Sequence, residues 1–202
     1  MAAAVLDIET PHGPARAHLD LADEPAAALV LGHGAGGGVQ APDLRAAARA
    51  ARTRGLSVVL VEQPYRVAGR RSPAPARQLD AAWTAVAAAL GDGPLEDLRL
   101  ICGGRSSGAR VACRTAAATG AVAVLCLAFP LHPPGRPEKT RLPELDAVAV
   151  PVLVVQGARD PFGMPEPAAR RDVAEVPGDH SLRAGVAAAE AIVGSCLGTI
   201  LP

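Results

Sequence analysis

Short, almost purely apolar runs alternate along this chain with longer stretches rich in alanine and arginine. The runs are Ala26 to Leu31, Leu56 to Val61, Leu98 to Cys102, Ala121 to Phe129, Pro151 to Val155 and Val173 to Val176. A strand with one wet face alternates apolar and polar residues, whereas a continuous apolar run describes a strand covered on both faces. The intervening stretches at Leu44 to Arg54, Arg77 to Leu90, Ala109 to Ala118 and Arg183 to about Leu197 read as helices. Arg45, Arg49 and Arg52 fall on one side of the first, and Gly55 closes it, as Gly91-Asp92-Gly93-Pro94 closes the second. Strand and helix in alternation predict an α/β fold, a mainly parallel sheet with helices on both faces. In such a sheet binding and catalysis gather on the loops at the carboxyl ends of the strands.

Composition narrows the function classes. The 202 residues have no dividing linker, repeat or low-complexity tract, which predicts a single domain over residues 1–202. Lys plus Arg and Asp plus Glu are equal at 20 each, so no global field draws nucleic acid or an anionic membrane. Aromatics at 2% leave no stacking platform for bases. The amino terminus carries Asp7 and Glu9 and lacks a basic start before an apolar stretch, and Ala121 to Phe129 is too short to cross a bilayer. Cys102, Cys113, Cys126 and Cys196 lack C-x-x-C spacing and sit within apolar patterns. Buried free thiols in a reducing cytoplasm are expected. The partner expected is a small molecule, with no nucleic acid and no membrane.

Gly104-Arg105-Ser106-Ser107-Gly108 falls between the run ending at Cys102 and the helix beginning at Ala109. A G-x-S-x-G in that setting forms a tight strand-to-helix turn that pushes the serine outward, with the helix amino terminus behind it. A serine hydroxyl is a poor nucleophile until a base takes its proton and a carboxylate orients that base. Asp160 follows the run ending at Val155, and His180 follows the run ending at Val176. Alone, Asp160 reads as a turn aspartate before Pro161, and His180 as a loop residue beside a helix cap at Asp179 or Ser181. Together, three residues on three loops of one sheet edge, in the order Ser, Asp, His, predict a catalytic triad.

Two backbone N–H groups are needed to hold the negative charge that develops on an attacked carbonyl. Ser107 supplies one by following the nucleophile. His33-Gly34-Ala35-Gly36-Gly37-Gly38, after the first apolar run, supplies the other through Ala35. A phosphate cradle is the competing reading of that glycine loop, but it has neither G-x-x-x-x-G-K-[ST] nor a properly spaced G-x-G-x-x-G. His33 is expected to support the loop structurally. Tyr65, Arg66, Arg70 and Arg71 follow the second apolar run, where they either bind a substrate carboxylate or phosphate or form a solvated loop. His132, in the Pro-rich segment Pro130 to Pro143, either lines the site or pins its own loop. That segment is too short for a large lid, so an open, shallow site is expected. No metal or organic cofactor is called for.

The segments His33 to Gly37, Gly103 to Arg110, Phe129 to Gly135 and Gln156 to Gly163 resemble the α/β-hydrolase superfamily. More narrowly they are similar to its small, dienelactone-hydrolase-like branch, which includes the hydrolase-like domain of a chromatin-complex subunit and testis-expressed relatives. The resemblance runs from about Ala26 to Leu197. It implies an α/β-hydrolase fold without a large cap, with nucleophile Ser106, acid Asp160 and base His180. Dienelactone hydrolases proper use cysteine where this chain has Ser106, so their substrate is not implied. Two functions follow as expectations: a serine hydrolase of a carboxylic ester or related acyl compound, or a hydrolase-fold interaction protein with little or no turnover.

Overall fold

A computed structural model describes residues 4–200. Its eight strands form one sheet: β1 (Ala4–Ile8), β2 (Ala15–Asp20), β3 (Ala27–Gly32), β4 (Ser57–Glu62), β5 (Arg99–Arg105), β6 (Ala123–Leu127), β7 (Val152–Gly157) and β8 (Arg171–Val176). The spatial order is β1-β2-β4-β3-β5-β6-β7-β8. Strands β3 to β8 pair in parallel, while β2 is antiparallel to both β1 and β4. The expected α/β architecture is therefore present, with no large cap domain.

Two apolar layers sandwich the sheet, and the pleat sorts residues between them. Val30, Val59, Cys102, Val124 and Val154 face α3 (Ala76–Gly91) and α4 (Ser107–Thr115), against Trp83, Val86, Leu90 and Val111. Their chain neighbours Leu29, Leu31, Val58, Leu60, Leu125 and Val155 face the other way, onto α1 (Pro42–Thr53) and α6 (Val186–Ile200). Successive residues alternate faces, so each run had to be apolar throughout.

The helix after β3 lies on one face and the helix after β5 on the other, although β3 and β5 are hydrogen-bonded neighbours. Their outgoing loops part above the sheet and leave a crevice at its carboxyl edge. Four smaller differences from the sequence reading stand out. The strands β1 and β2 and the short helices α2 (Pro64–Val67) and α5 (Leu142–Asp146) lie where only a terminus or loops were expected. Strand β5 runs on through Gly103 and Gly104 to Arg105. The final helix starts only after a 3-10 turn at Arg183–Gly185, whose Arg183 N–H donates to Ser181 Oγ at 3.4 Å. Cys102, Cys113 and Cys126 are buried free thiols, but Cys196 is only half-buried, because it lies at the margin of the layer formed by α6. Among the described residues, no helix is long and apolar enough to cross a membrane.

Candidate active site

Ser106 is the residue between β5 and α4, and its backbone is strained, at φ 53° and ψ −109°. A non-glycine residue reaches positive φ only where its surroundings over-determine it. The turn is tight enough to exclude side chains on both flanks. A Cβ on Gly104 would lie 2.5 Å from the Gly32 carbonyl oxygen, and one on Gly108 would run into the same oxygen. The two glycines of the motif are thus fixed by the close passage of β3, and the serine between them is lifted off the strand end.

His180 and Asp160 complete the group the sequence predicted. The His180 Nδ1 is 2.8 Å from Asp160 Oδ2 and its Nε2 is 2.9 Å from Ser106 Oγ. A carboxylate can only accept, so Nδ1 carries the ring proton and Nε2 offers its lone pair to the serine hydroxyl. The Asp160 side chain is only 1% exposed. Its Oδ1 accepts from the Phe162 N–H at 2.9 Å, and its Oδ2 also accepts from Gln156 Nε2 at 2.9 Å. Phe162 stacks obliquely on the histidine, with ring centroids 4.2 Å apart. Asp179 does not cap the last helix; its Oδ1 accepts from the N–H and Oγ of Ser181, folding the loop that presents His180.

The glycine loop is braced from beneath. The Tyr65 hydroxyl donates to the Ala35 carbonyl at 2.9 Å, and burial pushes that phenol up to about 12. His33 Nδ1 donates to the Gly34 carbonyl at 2.8 Å, while its Nε2 accepts from the Gln63 N–H at 3.1 Å. Burial holds His33 below the usual histidine value, which keeps it in that neutral, one-donor form. His33 is therefore the loop support expected of it. Among the described residues, neither the Ala35 nor the Ser107 N–H donates to another protein group.

The remaining candidates are less central. Arg66 is half-buried with its guanidinium near the Arg70 carbonyl, and Arg70 and Arg71 are exposed. Arg70 lines a cleft of about 90 Å³ with His12, Gln63 and Tyr65. Neither Arg66 nor Arg70 bonds to Ser106, Asp160 or His180. The His132 Nδ1 bonds to the Pro133 carbonyl and its N–H donates to the Phe162 carbonyl, so it ties its loop to the one carrying Asp160. Clefts of about 640 and 630 Å³ lie at the opposite, amino-terminal edge of the strands and touch none of these residues. Among the described residues no three His, Cys, Asp or Glu side chains gather as a metal site needs.

Sequence reasoning passed over Gln156, Phe162 and Arg105. Gln156 carried a signal, being a polar residue that is fully buried at the end of an apolar run. What it would bond to had none, since its amide also reaches the Phe129 carbonyl, 27 positions away.

A parallel sheet with a serine elbow at the switch point and no large cap is the architecture of the α/β hydrolases. The family model described as an alpha/beta hydrolase domain matches residues 25–186, and the chain belongs to that family. A search of curated proteins by sequence found no match. Among solved structures, the chain is similar to XC6422 from Xanthomonas campestris, described as an α/β serine hydrolase without lid. That alignment has TM-score 0.79 and 22% identity and covers 100% of this chain and 96% of that one. A dienelactone hydrolase from Anabaena variabilis aligns at TM-score 0.80 and 17% identity, over 100% and 99% of the two chains. The Pyrococcus furiosus esterase Pf2001 aligns at TM-score 0.78 and 14% identity, over 100% and 91%. At such identities the likeness is one of fold.

Proposed function

We propose that this protein is a serine hydrolase that cleaves a small carboxylic ester or related acyl compound through an acyl-enzyme. The observation that carries the reading is the unbroken chain from Ser106 Oγ to His180 Nε2 at 2.9 Å and from His180 Nδ1 to Asp160 Oδ2 at 2.8 Å, mounted on a strained elbow. Ser106 Oγ attacks the carbonyl carbon as its proton passes to His180 Nε2, and Asp160 steadies the imidazolium. The unbonded Ala35 and Ser107 N–H groups receive the oxyanion. The bond to the leaving alcohol then breaks, with His180 returning the proton to the departing oxygen. Water, deprotonated by the same ring, attacks the acyl group and frees Ser106. Arg66, Arg70 and His132 are proposed to contact substrate only at the outer rim.

A fluorophosphonate probe tests this directly. Wild type is expected to label, and Ser106→Ala and His180→Ala to lose labelling and on the order of 10⁶ in turnover, because the group acts as a unit. Equal labelling of wild type and Ser106→Ala sinks the assignment. A folded wild type that neither labels nor hydrolyses p-nitrophenyl acetate sinks the enzyme reading and leaves the interaction-protein one.

A further inference from the structure

Arg105 stands immediately before the nucleophile, and its guanidinium joins parts of the fold far apart in sequence. Nε donates to Asp43 Oδ2 at 3.0 Å, and Nη2 donates to the backbone carbonyl of His180 at 2.8 Å. The third nitrogen lies over the oxyanion loop, where a Cβ on Gly34 would sit 2.9 Å from Nη1. Asp43 is a firm anchor. Its side chain is 1% exposed, it lies in the first turn of α1, and its Oδ1 accepts from the Leu44 N–H at 2.9 Å.

The other bonds of the histidine loop explain why this matters. The Ala158 N–H donates to the Val176 carbonyl and the Arg159 N–H to the Gly178 carbonyl, each at 2.9 Å. These tie the loop of the base to the loop of the acid, so Asp160 and His180 form one unit. Neither fixes that unit against β5. Among the described residues, the Arg105 bond to the His180 carbonyl is the one hydrogen bond, besides the Ser106–His180 bond itself, that joins the nucleophile's turn to the histidine loop. A planar guanidinium presents its donors at fixed angles, so holding Asp43 with one edge dictates where the other must hold the carbonyl.

We propose that Arg105, clamped by Asp43, is a positioning residue that sets the Asp160–His180 unit at working distance from Ser106 and keeps the oxyanion loop in register with it. The proposal rests on the hydrolase reading. It goes further by assigning the residue ahead of the nucleophile a task in catalysis without contact to the substrate.

The test uses Arg105→Lys, Gly34→Ala and the double variant Arg105→Met with Asp43→Asn, which leaves no unpaired buried carboxylate behind. Three readouts are taken on folded protein: kcat and KM for p-nitrophenyl acetate, the rate of fluorophosphonate labelling, and the downfield proton resonance of His180 Nδ1–H. In the double variant kcat and labelling rate are expected to fall together by ~10²-fold, the loss that a displacement of about 1 Å brings. KM should move less than about threefold, since no group that touches the substrate is removed. The resonance should broaden or vanish. Arg105→Lys should recover part of the rate, because one ammonium cannot hold both partners as the fork does, and Gly34→Ala should lower kcat by pushing on Nη1.

A purely structural role would lower melting temperature while leaving kcat, labelling and the resonance of the folded double variant as in wild type, and that result overturns the proposal. If wild type itself neither labels nor turns over, the hydrolase reading fails. The resonance then decides the positioning alone, and an unchanged signal in the double variant overturns it.

Discussion

The amide of Gln156 reaches the same carboxylate oxygen of Asp160 that the His180 ring uses. Its nitrogen also lies 3.0 Å from the Phe129 carbonyl and 2.8 Å from the Gly163 carbonyl, so its two hydrogens serve three oxygens. Such a group cannot rotate without stranding a buried acceptor, at about 1–3 kcal/mol. Gln156→Leu is therefore expected to keep the fold but release the Asp160 carboxylate, and a loss of that size slows turnover about 5- to 150-fold. Gln156→Glu should be worse than Gln156→Leu, because a second carboxylate beside Asp160 competes for the histidine proton. Ester hydrolysis and probe labelling of both variants check this. Equal rates for wild type and Gln156→Leu would show that Phe162 and His180 alone hold the acid.

Helices α3, α4 and α5 are coupled through a cluster of ion pairs that straddles the layer beside β5 and β6. Arg110 donates from Nε at 2.9 Å and from Nη2 to the two oxygens of Glu144. Arg114, one turn on, donates to both oxygens of Asp80 and, at 3.2 Å, to Glu144. Burial pushes the Glu144 carboxyl up, but the two arginines outweigh it and hold the group below its usual value of 4.5. A carboxyl lowered in the folded state adds stability that is complete above the unfolded value, and the gain is lost as pH falls through the folded one. Glu144→Gln should thus cost ~1–2 kcal/mol at neutral pH, the groups being only half-buried. The gap in melting temperature between the variant and wild type should close as pH drops below about 4.5. A gap that does not change with pH would point to lost packing instead. The same cluster explains why α5 was not legible. Five residues around Pro143 carry no helical period, and what places them is a contact to α4 that sequence spacing cannot show. Helices α1 and α3 were legible to within two residues and α4 and α6 to within three, because their period reports burial against the sheet and their ends do not.

Across the whole molecule, the site's position was readable because topology put every candidate loop on one edge. The crevice between the loops after β3 and β5 then set the glycine loop, at Gly34, against Arg105 of the nucleophile's turn. The amino-terminal hairpin was not readable for a different reason. In β2 the buried positions are Ala15, Ala17 and Leu19, an alternation with residues 16, 18 and 20 that two alanines make faint. In β1 the run is mostly exposed, with Val5 at 58% and Leu6 at 39%. Yet β2 pairs with β4 over all but its first residue, from Arg16 opposite Glu62 to Asp20 opposite Val58. Residues 57–61 of β4 are buried, which makes β4 a core strand that would become an edge without its partner. An apolar, untwisted edge with free N–H and C=O groups recruits other chains. Deleting residues 4–20 removes nothing from the catalytic loops, so a site that depended only on those loops would survive it. The expected outcome is instead a protein that self-associates on size-exclusion chromatography and loses probe labelling as it does so. Restoring the β2 segment as a separate peptide should return the wild-type elution volume and labelling together, because the backbone donors of β4 are then met again. A monomeric, fully labelled deletion variant would show that β4 tolerates an open edge and that the hairpin serves something other than the sheet.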